Sequence, residues 1–274
     1  MSLSVTSLAS GSSGNALLAR CGDAALLVDC GIALRTLESL LRYQGVEPRQ
    51  IRAVVLTHEH GDHALSAAAL ARRYRIPVLL NAATRDALGA ELDGAAAELL
   101  PVGQLAQVGP FELRSFPVPH DAADPVGLRI AADGASVAIA VDLGSWTEET
   151  VAQLRGADLL VVEANHDREM LRASPYPPGI QQRIIGRLGH LDNVQCGELI
   201  ARVCADAPCD VWLAHLSQQT NSPQIAIAGV RRVLGLAGVA GVRLGALPRR
   251  SPKGPAAAPT WRAEDRMLVQ QSLF

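Results

Sequence analysis

Apolar residues along this chain fall into short runs, and many of the runs stop abruptly at a polar or charged residue. Leu3–Leu8, Asn15–Arg20 and Ala24–Asp29 predict strands joined by small-residue turns. Ala33–Gln44 instead repeats Leu34, Leu37, Leu40 and Leu41 at helical spacing and stops before Gly45. Ala53–Thr57 predicts a buried strand, Ala64–Arg75 an alanine-rich helix, Pro77–Leu80 a strand and Ala82–Leu88 a short helix. From Glu98 to Asp142 the pattern is mostly strand, at Phe111–Pro117, Val126–Ala131 and Ser136–Asp142. The order then recurs: a helix over Thr147–Arg155, a buried strand over Asp158–Glu163, one or two helices within Gln181–Ala205, a strand at Val211–Ala214 and a helix at Gln224–Leu234. Two such series predict an α/β (α+β) protein with two mixed sheets face to face and helices outside. Pro248, Pro252, Pro255 and Pro259 mark 246–265 as a loose linker before a last strand at Met267–Leu273. The expected organisation is one domain over 1–245, with 246–274 as a Pro-rich linker and extension packing on it.

Composition changes this picture little. The 274 residues are 49% hydrophobic and 19% charged, the balance of an ordinary globular protein. A net charge of -2 excludes a global basic field, though a local arginine patch escapes that count. Lys253 is the only lysine. No apolar run reaches the length of a bilayer, and Met1–Val5 lacks the features of a signal peptide, so the expected location is cytoplasmic with no membrane partner. Cys21, Cys30, Cys196, Cys204 and Cys209 form no CxxC pair and read as reduced, mostly buried thiols. Cys30, next to Asp29, reads as a packing residue close to the polar cluster described next.

The run Ala53–Thr57 ends in His58-Glu59-His60-Gly61-Asp62-His63. Three imidazoles and a carboxylate at the tip of a buried strand make poor core material, because each ring needs a hydrogen-bond partner or a metal when buried. A polar helix N-terminus would account for Asp62 but not for the three histidines. The same placement recurs: Asp29 closes Ala25–Val28, His120 closes Phe116–Pro119, Asp142 closes Val137–Val141, and His215 closes Val211–Ala214. A lone Asp after a strand is usually a turn residue, and a lone His is usually hydrogen-bonded structure. Repetition of the pattern beside the 58–63 cluster favours donors converging on one rim.

Asp29, Thr57–His63, His120, Asp142 and His215, in that order, resemble the five motifs of the metallo-β-lactamase fold superfamily. Leu8–Asn15, Ser174–Pro177 and Gly189–Asn193 narrow the resemblance to the YycJ/WalJ branch of metal-dependent hydrolases, which is similar to RNase Z-type phosphodiesterases and has members described as DNA exonucleases. The resemblance implies a four-layer αββα sandwich with a dinuclear site. His58, His60 and His120 would hold one divalent ion, Asp62, His63 and His215 the second, and Asp142 would bridge them. Asp29 would fix the histidine loop by hydrogen bonds without touching metal. Zinc suits this mixture of nitrogen and oxygen donors best; manganese or iron also fit.

The implied reaction is hydrolysis of a phosphodiester, in nucleic acid first of all, by hydroxide held between two cations. Asp62 would orient it, and His190 in Gly189-His190-Leu191 would protonate the leaving group, unless it only starts a helix before Asp192. His166 would bind metal, contact substrate, or hydrogen-bond Asp167. Ser12, Ser13 and Asn15 in the glycine-rich loop form a candidate anion cradle or a tight turn. Asn193, Ser217 and Asn221 are further candidate substrate contacts, with helix capping as the alternative for the last two. A small-molecule hydrolase acting on a thioester, lactone or cyclic phosphodiester is the competing reading. A non-catalytic metal-binding partner protein is a third, and no obligatory protein partner is implied.

Overall fold

In the computed structural model, residues 2–205, 207–250 and 258–265 are described. The strands are β1 (Leu3–Ala9), β2 (Ala16–Cys21), β3 (Ala24–Val28), β4 (Ile51–Val55), β5 (Val78–Leu80), β6 (Ala97–Leu99), β7 (Leu105–Val108), β8 (Phe111–Pro117), β9 (Val126–Ala132), β10 (Ala135–Ala140), β11 (Leu159–Glu163), β12 (Cys209–Ala214), β13 (Val242–Ala246) and β14 (Thr260–Arg262). They form two sheets, ordered β14-β1-β2-β3-β4-β5-β6 and β13-β12-β11-β10-β9-β8-β7. In the first sheet β1, β2 and β3 are antiparallel, and β3, β4, β5 and β6 run parallel. The second repeats the plan: β7 to β10 antiparallel, then β10 to β13 parallel.

The helices are α1 (Leu34–Tyr43), α2 (Gly61–Ala64), α3 (Ala67–Tyr74), α4 (Ala82–Leu88), α5 (Glu148–Leu154), α6 (Arg168–Arg172), α7 (Pro178–Ile185), α8 (Asn193–Val203) and α9 (Pro223–Leu236). Alternation along the strands explains the layering. Leu26 and Val28 of β3, with Val137 and Ile139 of β10, lie in the core between the sheets. Ala25 and Leu27 pack outward with Leu37, Leu41 and Leu70 of α1 and α3. Ala138 and Ala140 pack outward with Leu199, Ile200 and Val230 of α8 and α9. Strands buried on both faces read as continuous apolar runs, and the fold is the expected αββα sandwich.

Several details differ from the sequence reading. The helix expected over Ala64–Arg75 is two helices: α2 starts inside the histidine cluster, and the chain breaks at Ser66. There the amide donates to Cys30 O at 2.9 Å and the hydroxyl to Ile32 O. Cys204 and Cys209, read as thiols, are joined in a disulfide across the short loop between α8 and β12, while Cys21, Cys30 and Cys196 are free and buried. In the stretch expected to be a loose linker, β14 pairs antiparallel with β1, and the buried Trp261 donates its indole N–H to Asp210 at 2.7 Å. The strand expected at Met267–Leu273 lies outside the described residues. No helix among the described residues is long and apolar enough to cross a membrane.

Candidate metal centre

The parallel strands of both sheets end on the same rim, the usual place for a site in α/β sheets. On the first sheet, Thr57 donates its amide to Asp29 Oδ1 at 2.9 Å, and its hydroxyl lies 3.0 Å from Oδ2. This carboxylate also faces His63 Nδ1 at 2.8 Å. Asp29 therefore clamps both ends of the six-residue turn. The turn is tight enough to need glycine at 31, where a Cβ would lie 1.6 Å from Asp62 O. Held this way, His63 turns Nε2 to Asp142 Oδ2 at 2.5 Å and to Asn15 Nδ2 at 2.9 Å.

The second sheet contributes residues singly. Asp142 and His215, each just past a strand, have φ of 51° and 53°, as does Asp29 on the first sheet at 61°. Left-handed backbone is uncommon outside glycine and clusters at functional sites, at a cost of roughly 1 kcal/mol each. It turns the side chain out of the strand's alternation and toward the rim. His120 leaves β8 and places Nδ1 3.1 Å from Gly189 O, which leaves Nε2 as the acceptor nitrogen.

Glu163, at the end of β11, is the site residue the sequence reading passed over. It is fully buried (0% exposed) and accepts amide hydrogen bonds from Leu143 at 2.7 Å and Leu191 at 3.3 Å. Its Oε1 lies 2.8 Å from both His190 Nδ1 and His215 Nδ1. The available signal was the same one used elsewhere, since Glu163 closes the apolar run Leu159–Val162.

Three groups of donor atoms result, each lying within 4.8 Å: His58, His60 and His120; Asp62, His63, Asp142 and His215; and Asp142, Glu163, His190 and His215. Six of the seven histidines are thus gathered in one place. Burial disfavours the cationic form of His58, and the neighbouring His63 adds to this, lowering its pKa to about 2. His120 is lowered by burial as well. Burial also opposes charging of His63 and His190, but Asp142 and Asp29 raise the first to about 10, and Glu163 and Asp142 raise the second to about 9. Burial acts against the carboxylates too, yet His215 and His63 hold Asp62 at about 2. His190 and His215 hold Glu163 at about 2. Buried carboxylates held ionised by neighbouring imidazoles, beside His58 and His120 whose cationic forms burial disfavours, offer the mixed oxygen and nitrogen donors that suit divalent cations.

The remaining candidates are placed differently. Ser12 and Ser13 are exposed, and Ser13 Oγ accepts from Arg249 Nε at 2.7 Å. Asn15 is buried and braces the turn through His63. Ser10 does the same for His215, accepting its amide at 2.8 Å. His166 is 1% exposed and belongs to none of the three groups. Asn193 and Asn221 are buried and bond each other at 3.2 and 2.8 Å, and Asn221 also donates to Ala164 O. Ser217 Oγ accepts the Thr220 amide at 3.2 Å. The last three, candidate substrate contacts by sequence, make these hydrogen bonds at the start of α8 and in the loop that follows His215.

Fold and donor set together define a metal-dependent hydrolase of metallo-β-lactamase fold. Residues 25–215 match the family described as the beta-lactamase superfamily domain. The chain is 33% identical over 237 residues to exodeoxyribonuclease YycJ of Bacillus anthracis, covering 85% of this chain and 90% of that protein. It is 33% identical over 224 residues to exodeoxyribonuclease WalJ of Streptococcus pneumoniae, covering 80% and 83%. Among solved structures, the metallo-beta-lactamase fold protein YhfI from Bacillus subtilis superposes with a TM-score of 0.72 at 20% identity, covering 96% of this chain and 100% of that one. The chain belongs to the beta-lactamase superfamily, in its YycJ/WalJ branch.

Proposed function

We propose that this protein is a phosphodiesterase that hydrolyses DNA, using two divalent ions, zinc first among them. His58, His60 and His120 would hold one ion, Asp62, His63 and His215 the other, with Asp142 between them. When bound, the ions lower the pKa of water and offset the negative charge that develops at phosphorus. The observation that carries the reading is His190 backed by Glu163. Glu163 accepts from Nδ1, which leaves Nε2 to meet substrate from a side chain that is 21% exposed. Glu163, which is not among the residues that would hold the ions, would keep His190 protonated even with Asp142 engaged.

A proton donor matters most when the leaving group is a sugar alkoxide, far more basic than the thiolate of a thioester. This favours a phosphodiester over a thioester. Asp62, facing His215 Nε2 at 3.4 Å, would orient the attacking water. The relatives named exodeoxyribonuclease support DNA as the substrate, and DNA as substrate supports a cytoplasmic location. In this reading β14, seated on β1, belongs to the same domain.

Metal-loaded protein should cleave bis-p-nitrophenyl phosphate and DNA. His190→Ala should retain metal and lose roughly a hundredfold or more on DNA, with a much smaller loss on the activated diester. Equal losses on both would remove the acid role. Cleavage of thioesters, with neither diester touched, would establish the small-molecule reading instead.

A further inference from the structure

The loop between β1 and β2 carries Ser12 and Ser13 at its tip, beside one corner of the metal centre. Its other amides are occupied: Gly11 donates to Asn15 Oδ1 at 2.9 Å, Gly14 to Gly11 O at 2.9 Å and Asn15 to Asp62 O at 2.8 Å. The amides of Ser12 and Ser13 meet no acceptor among the described residues, and both residues are exposed. The tip is fixed all the same. A Cβ on Gly14, where φ is 143°, would lie 2.4 Å from Gly31 O, and Asn15 Nδ2 lies 2.9 Å from His63 Nε2. The chain leaving β13 brings Arg249 onto this tip, with its carbonyl accepting the Ser10 amide at 3.3 Å. Arg249 Nε donates to Ser13 Oγ at 2.7 Å, and Nη1 donates to Gln218 Oε1. Both acceptors are neutral, so the guanidinium keeps its positive charge unanswered and most of its N–H donors uncommitted. No acidic residue occurs in 8–20, 215–222 or 242–250, the stretches that meet here, in a chain whose net charge is -2.

We propose that Ser12, Ser13 and Arg249 form a binding site for a second phosphate of the substrate, the one adjoining the phosphodiester that is cleaved. The proposal rests on the phosphodiesterase reading and adds what the substrate must carry besides the scissile bond. Adjacent free amides in a glycine-flanked turn, hydroxyls and a guanidinium are the donors a tetrahedral oxyanion takes, and arginine can give it two parallel bonds. The place of the site decides which phosphate it holds. His190 lies 3.3 Å from Asp142 and stacks beside His120, so the leaving oxygen is protonated there. The Ser12–Ser13 tip stands instead at the Asp62 and His63 corner. The phosphate on Arg249 therefore belongs to the part of the substrate that keeps the cleaved phosphate, not to the leaving nucleotide.

The test uses the full-length, metal-loaded protein and short oligonucleotides in which a linkage next to the cleaved one is an uncharged methylphosphonate. In the wild type, a methylphosphonate on the side that keeps the cleaved phosphate should raise KM by about tenfold or more, the size of a lost charge-assisted contact. The same replacement on the leaving side should have little effect. Arg249→Ala, a substitution at an exposed position, should raise KM for the all-phosphate oligonucleotide by a similar factor with kcat within about twofold. In that variant the two methylphosphonate isomers should give equal KM values, and Arg249→Lys should restore part of the difference. A wild type indifferent to which linkage is neutral would overturn the proposal, as would an undiminished difference in Arg249→Ala. Failure of wild type to cleave bis-p-nitrophenyl phosphate would sink the phosphodiesterase reading and is seen in a separate readout.

Discussion

Asp29 on the first sheet and Glu163 on the second do the same local job: each is a buried carboxylate at a strand end, 2.8 Å from the Nδ1 of a histidine whose other nitrogen faces the centre. Their remaining bonds separate them. Asp29 spends its other contacts on Thr57 and so serves one turn, whose donors are contiguous in sequence. Glu163 gathers Leu143, Leu191, His190 and His215 from three different loops. One carboxylate stiffens a preassembled turn. The other assembles its part of the site, and it couples a candidate metal ligand to the candidate proton donor.

The largest effect should come from the residue both halves share. Asp142→Ala removes the carboxylate facing His63 at 2.5 Å and His215 at 3.1 Å. Activity should fall on the order of a thousandfold and metal content should drop with it. Retention of full metal with high activity would separate the two halves altogether.

Asp29→Asn and Glu163→Gln test the comparison itself. Each should weaken metal binding or activity by roughly 10–100-fold, as such supporting carboxylates do. Only Glu163→Gln should also move the pH–rate profile, because it alone contacts His190. Identical profiles in the two variants would erase the distinction.

A smaller effect lies in the metal-free protein. The lowered pKa of Glu163 adds stability that is complete above its ordinary 4.5 and fades as pH falls toward about 2. The raised pKa of His63 adds stability that is complete below its ordinary 6.5 and is lost as pH rises through about 10. Metal-free protein should therefore melt highest between about pH 4.5 and 6.5 with respect to these groups, and Glu163→Gln should flatten the acid side of that profile. Thermal melts across pH in chelator check this, and an unchanged acid limb would count against the Glu163 pairing.

The same contrast explains what could be read from the sequence. The first half was legible because His58, His60, Asp62 and His63 are adjacent, and Asp29 closes an obvious apolar run. Asp142, His120 and His215 were legible only by their repeated place at strand ends and by resemblance. Glu163 met the same criterion and was passed over, since a carboxylate after a buried strand looks like any turn residue until the loops close on it. The layers followed from alternation, whereas β14 depends on Trp261 finding Asp210, a contact no local pattern encodes. The break at Ser66 was likewise invisible, because it is made by carbonyls 34 and more residues away.

Metal stoichiometry of the purified protein tests the central claim most directly. Two divalent ions per chain are expected in the wild type and one in His120→Ala, which disables only the His58, His60 and His120 group. A wild-type chain without bound metal, or the same count in both proteins, would contradict the two-centre account.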